Sequence, residues 1–329
     1  MRKLIAMMLF LLLLCGTVFA EDTAEESADF SWDDLAQLLE LLQSFGENTE
    51  PVQMAPVDYE SSVVTAGALE AKYLTHGQFD VSFIEEETEE TWEKYLAYYP
   101  TELEQSDRIW PVIVMVNGSG VLASNYPAVF QHYASWGFVV IGNEHDSSWQ
   151  GDSSDASLAW LLNENSNPES VFYQRIDLNA IGIVGHSQGG VGVFNAITVQ
   201  PHCDLYKCAV ALSPTSERVA EAIGWHYDTS KVSSPVLMFA GTEGWFETES
   251  VIPLEDMNTM YDRIPVGKAM ARRIGAEHGQ MLYSADGYAT AWFMWHLRGD
   301  EEAALAFIGE NPEIAENPLY QDQRISLSK

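Results

Sequence analysis

Ala180-Ile-Gly-Ile-Val184 is a short apolar run rich in β-branched residues, the mark of a strand covered on both faces. It runs straight into Gly185-His186-Ser187-Gln188-Gly189, after which Val191, Val193, Phe194, Ala196 and Ile197 hold an apolar face at helical spacing. A G-x-S-x-G at the junction of a buried strand and a helix reads as a nucleophile elbow; outside that context it would be an ordinary glycine-rich turn. The turn forces Ser187 into a strained backbone, and the two flanking glycines, lacking Cβ, let strand and helix close around it. The hydroxyl then stands clear of the sheet. The Gln188 N–H, at the helix start, points toward any negative charge that develops there.

The rest of the chain supplies the sheet that such an elbow needs. Pro111–Val116, Phe138–Ile141, Cys208–Leu212 and Pro235–Ala240 repeat the buried-strand signal, with helical patterns at 126–136, 156–163, 191–199 and 254–264 between them. A last strand at Lys268–Arg273 leads to a helix over 286–297, while 79–84 and 94–99 alternate as half-buried antiparallel strands around a charged turn. The expected class is α/β, a mostly parallel central sheet with antiparallel strands at its N-terminal edge and helices on both faces. Ligands of such sheets bind beyond the carboxyl ends of the strands.

Residues 1–20 are expected to be a signal peptide. Arg2 and Lys3 precede the apolar run Leu4–Leu14, and Val18-Phe19-Ala20 makes a small-residue cleavage site before Glu21. The run is short for a transmembrane helix, so export without stable membrane insertion is the expectation. Residues 21–56 read as an acidic leader with a short amphipathic helix (31–46) and a linker, and 57–329 as the catalytic domain. Cleavage removes two positive charges and takes the net charge from −33 to −35. Such acidity argues against nucleic acid or an anionic membrane surface as partner. Cys203 and Cys208, the two cysteines beyond residue 20, are a disulfide candidate in an exported chain, and neither belongs to a metal-ligand spacing.

A serine hydroxyl needs a base to take its proton, and the base needs an orienting acid. In this architecture they follow in the order Ser, acid, His, which assigns the base to His278, in the loop after the last strand. The acid should follow the strand 235–240, where Gly244 occupies the usual aspartate position and three glutamates lie nearby. Glu249 is favoured, because Glu249-Ser-Val-Ile-Pro253 keeps an acid-x-apolar-x-Pro spacing; Glu243 and Glu247 are the alternatives. Asn117-Gly118-Ser119-Gly120 follows the strand 112–116, so the second oxyanion donor, beside the Gln188 N–H, is expected to be the N–H of Ser119. His186 is expected to pack beneath or line the site. Trp149, Trp245 and Phe246 fall in loops expected to rim it and are candidate substrate contacts, with core packing the plainer reading of each.

From about Tyr73 to Phe307 the chain resembles the secreted α/β-hydrolases that include cutinase-like polyester hydrolases, platelet-activating-factor acetylhydrolases and dienelactone-hydrolase relatives. The resemblance is carried by Val116–Gly120, Ala134–Ile141, Ile176–Gly190 and Ala289–Asp300, with Asn143-Glu144-His145-Asp146 similar to the Glu-His segment of the acetylhydrolases. It implies hydrolysis of small or polymeric carboxylic esters through a serine acyl-enzyme, without cofactor. The chain departs from the group in two places: Asn117 stands where histidine or proline is common, and the acid loop is longer and carries glutamate. An acyltransferase or a peptidase on the same triad, and an inactive binding protein that kept the fold, are the competing expectations.

Overall fold

In a computed structural model, which describes residues 53–327, the buried apolar runs form one nine-stranded sheet. The expected signal peptide, the 31–46 helix and the acidic leader up to residue 52 lie outside the described residues. The strands are β1 (Val81–Glu87), β2 (Lys94–Pro100), β3 (Trp110–Val116), β4 (Val139–Asn143), β5 (Ile176–His186), β6 (Tyr206–Leu212), β7 (Val236–Gly241), β8 (Lys268–Arg273) and β9 (Tyr320–Ser326). Their spatial order is β1-β2-β4-β3-β5-β6-β7-β8-β9. From β4 to β8 every pairing is parallel, while β1-β2, β2-β4 and β8-β9 are antiparallel. Among the described residues no helix is long and apolar enough to cross a membrane.

Alternation along the central strands divides the core into two layers. Ile113, Met115, Val184, Val210 and Leu212 face one side, with Phe130 and Tyr133 of α2 (Pro127–Ser135) and Trp292 and Phe293 of α6 (Asp286–Arg298). Val112, Val114, Ile181, Ile183 and Ala209 face the other, with Leu158 of α3 (Asp152–Ser166), Phe194 of α4 (Gln188–Ala196) and Met257 of α5 (Leu254–Arg263). A further helix, α1 (Ala68–Leu74), packs on α6. The α/β architecture is as expected, with both faces of the sheet covered.

Two features differ from expectation. Lys268–Arg273 is not the last strand: β9 pairs with it antiparallel, so the C-terminal edge carries an antiparallel strand too. Tyr-Gln-Asp-Gln-Arg-Ile-Ser shows no apolar alternation because it is an edge strand with mostly half-exposed side chains, held by an Arg272–Asp322 ion pair (2.9 Å) and broken in register at Asp322, whose φ is +56°. The Cys203–Cys208 disulfide is not formed, and both residues are free thiols. Cys208 lies in β6 with its side chain in the core layer beneath α6, whereas Cys203 is half-buried on the turn ahead of that strand.

The first residue of α6 is a buried carboxylate with a consequence for stability. Asp286 is fully buried and accepts hydrogen bonds from Tyr59 (2.6 Å) and Tyr133 (3.0 Å). Burial pushes its carboxyl up to about 6, against the opposing influence of His132 and of the two tyrosine O–H groups. The folded state therefore holds a proton that the unfolded chain, titrating near the ordinary value of about 4, releases first. Stability from this group is full below pH ~4 and falls by up to about 3 kcal/mol as pH rises to about 6. Asp286→Asn is expected to flatten that slope, which urea unfolding of both proteins between pH 4 and 7 will read.

Candidate active site

The loops at the carboxyl ends of β3, β5, β6, β7 and β8 meet around Ser187. That residue joins β5 to α4 with φ +60° and ψ −121°, a strained conformation for a residue with a Cβ. The close approach that requires glycine on either side is explicit. A methyl group on Gly185 would fall 2.4 Å from the Gly189 carbonyl oxygen, and one on Gly189 would fall 2.1 Å from that of Val116. The Ser187 N–H donates to Leu212 O (2.9 Å) at the end of β6, and its carbonyl accepts from Gly190 N (2.9 Å) in the first turn of α4. The hydroxyl itself has no hydrogen-bond partner among the described residues.

His278 opens the 3-10 turn His278–Leu282 after β8. Its Nδ1 lies 2.6 Å from Glu247 Oε2, and its Nε2 has no hydrogen-bond partner among the described residues. Glu247 is 1% exposed. Its other oxygen accepts from Ser213 Oγ (2.6 Å) and Gly241 N (2.5 Å). Burial alone would raise the Glu247 carboxyl; the hydrogen bond and charge of His278, with the Ser213 hydroxyl and the Gly241 N–H, outweigh it and hold the group below the usual carboxylate range. The carboxylate thus stays ionised while fixing the Nδ1–H tautomer of the ring.

The structure thus sets Glu247, and not the favoured Glu249, against the His278 ring. Glu249 and Glu243 are exposed; Glu249 borders a surface cleft with Thr242, Arg272 and Gln321. The extra loop length is wound into a π-helical turn, Phe246–Val251, preceded by Gly244 at φ +80°. Two residues along a helical turn carry a side chain to roughly the opposite face. With Glu247 turned inward, Glu249 therefore faces outward. The acid-x-apolar-x-Pro spacing could not register this, because it assumes an extended approach to Pro253.

His186 has a different part. Its Nε2 lies 2.7 Å from the His278 carbonyl oxygen, and since a carbonyl only accepts, Nε2 carries the proton. Burial, with the neighbouring His278 ring, pulls His186 down to about 3, so it remains neutral. The two rings lie 4.6 Å apart between centroids. His186 thereby ties the turn that carries His278 to the elbow.

The backbone groups expected to receive a negative charge lie at the same edge. Gly118 runs against the elbow: a methyl group there would sit 3.8 Å from Ser187 Cβ. Neither the Ser119 nor the Gln188 N–H has a hydrogen-bond partner among the described residues, while the Gln188 side chain is fixed by accepting from Ser148 N (2.8 Å). Of the three candidate aromatic contacts, Phe246 is 43% exposed and meets the His278 ring edge-on at 5.0 Å, and Trp245 is half-buried one residue earlier. Trp149 accepts through its carbonyl from Asn195, two turns along α4 from Ser187, and borders a cleft of about 400 Å³ with Val199, His226 and Tyr227.

Ser213 and His186 are the contributors that sequence reading leaves out or underuses. Ser213 is the first residue beyond β6, with φ +42°, and a serine just past the carboxyl end of a buried strand is the one signal the sequence offers.

A family model described as PET hydrolase-like matches residues 48–318. A bis(hydroxyethyl) terephthalate hydrolase of Streptomyces coelicolor is 31% identical over 150 residues, 45% of this chain and 43% of that protein. The cutinase est2 of Thermobifida alba is 29% identical over 190 residues, 55% of each chain. The chain thus spans about half the length of the curated relatives it matches.

Proposed function

The chain belongs to the PET hydrolase-like family, and from that premise we propose that it is an exported serine hydrolase of carboxylic esters with Ser187, His278 and Glu247 as its triad. The observation that carries the reading is the 2.6 Å contact between a buried carboxylate and His278 Nδ1, at the sheet edge where Ser187 is held at φ +60°. Ser187 Oγ attacks the ester carbonyl while His278 Nε2 takes its proton, and Glu247 stabilises the imidazolium. The N–H groups of Ser119 and Gln188 receive the oxyanion; each such donor is worth about 3 to 4 kcal/mol in the transition state. His278 then protonates the leaving alkoxide, and water enters along the same path to release the acid.

A fluorophosphonate probe tests this directly. Stoichiometric labelling that peptide mapping assigns to Ser187 supports the triad. An unlabelled protein would leave only a fold retained for binding. Export is supported by the pattern of residues 1–20, and N-terminal sequencing of protein recovered from the medium should begin at Glu21.

Phe246 supports a substrate class. An exposed ring standing beside the base offers a wall for a flat or apolar acyl group, in keeping with a relative whose name specifies a terephthalate ester. Phe246→Ala is expected to raise KM for aromatic-acid esters about 2- to 10-fold and to leave acetate esters nearly unchanged, as steady-state kinetics on the two series will show.

A further inference from the structure

Asn117 is the first residue beyond β3, 2% exposed, and it uses nearly all of its side-chain hydrogen-bonding capacity. Nδ2 donates to the carbonyl oxygens of Asn143 (2.6 Å) and His145 (3.0 Å), just where β4 ends. Oδ1 accepts from the Tyr126 hydroxyl (2.5 Å). The acceptors are themselves held. Asn143 donates to Ser153 O and Ser157 Oγ of α3, both at 2.8 Å, and accepts from His145 N (3.0 Å). On its backbone side Asn117 abuts the elbow, since a methyl group on Gly189 would fall 2.8 Å from its carbonyl oxygen. Three residues on, Gly120 N donates to Asp146 O (2.9 Å). Gly118 and Ser119 are therefore bracketed, anchored before and after to the same 143–146 segment, and the Ser119 N–H is left without a partner among the described residues.

We propose that Asn117 is a positioning residue for the oxyanion site: its side-chain amide clamps the loop after β3 onto the end of β4 and so aims the Ser119 N–H at the reacting carbonyl. The assignment rests on the ester-hydrolase reading of Ser187. A residue that merely satisfied its own buried amide would matter for stability and not for how the enzyme treats the charge on oxygen. Asn117 reaches substrate only through the backbone it holds. Its loss should therefore lower kcat, at nearly constant KM, for substrates that develop an oxyanion. Thionoesters, whose developing charge sits on sulfur, a poor hydrogen-bond acceptor, gain less from aligned N–H donors.

The test compares matched p-nitrophenyl esters and thionoesters of the same acyl group on the wild type, Asn117→Ala and Tyr126→Phe. For Asn117→Ala the expected result is a fall of about 10- to 100-fold in kcat on the oxygen ester, with KM within about twofold. The thionoester should lose much less, so the oxygen-over-sulfur preference shrinks. Tyr126→Phe keeps both Nδ2 bonds and removes only the partner of Oδ1; it should shift the same ratio in the same direction by about 2- to 5-fold, and it decides the matter if Asn117→Ala does not fold. Folded variants that keep the wild-type ratio would overturn the assignment. A wild type that turns over neither substrate would instead remove the ester-hydrolase reading, a separate outcome.

Discussion

Ser187→Ala is expected to lower p-nitrophenyl ester turnover by about 10⁶-fold, to the residue of catalysis that the oxyanion donors and binding supply without a nucleophile. The size of the loss follows from the division of labour at the site. No covalent intermediate can form, so His278 and Glu247 have no proton to handle and their contributions vanish with that of Ser187. The fold should be untouched. The Ser187 hydroxyl has no hydrogen-bond partner among the described residues, and alanine keeps the same backbone. Thermal unfolding of the variant should therefore match the wild type within about 0.5 kcal/mol. Equal stability with lost turnover separates chemistry from structure. Substantial turnover by pure Ser187→Ala protein would refute the proposed nucleophile.

Glu247→Gln is expected to cost about 10⁴-fold in kcat. The amide is isosteric, but it cannot satisfy its neighbours as the carboxylate does. One oxygen accepts from both Ser213 Oγ and Gly241 N, so the amide nitrogen is driven to the His278 side. There it donates to Nδ1 and imposes the wrong tautomer on the ring, with the proton on the nitrogen that should receive one from Ser187. Glu249→Gln and Glu243→Gln, both at exposed positions, should stay within about twofold of wild type. If Glu249→Gln carried the large loss instead, the assignment of the acid would be wrong.

How much of this was legible beforehand depends on how local the signal was. The elbow could be read because strand, turn and helix are each encoded within a few residues of Ser187, and the structure shows the strained φ that the motif implies. The parallel strands could be read because burial on both faces leaves an unbroken apolar run. His278 followed from chain order, and the geometry sets it against a carboxylate. The carboxylate that meets His278 escaped because inward and outward carboxylates two residues apart look alike in sequence; only the winding of the 246–251 turn tells them apart. β9 escaped because an edge strand has little apolar face to show. The cysteine pair misled because compartment says nothing of side-chain direction, and Cys208 points into the core. Asn117 stands out in the sequence as a departure from its relatives, yet its partners lie at and just beyond the end of β4 and just ahead of α2, which no local pattern connects.

The wide turn at 246–251 couples two properties that enzyme engineers prefer to vary separately. Phe246 and Glu247 are consecutive residues in it, one set nearly perpendicular to the imidazole ring and the other bonded to its nitrogen. Any insertion, deletion or graft that moves the Phe246 ring is expected to displace the carboxylate as well. Substitutions that leave the winding of this turn intact are therefore the ones expected to alter the ring without disturbing the carboxylate.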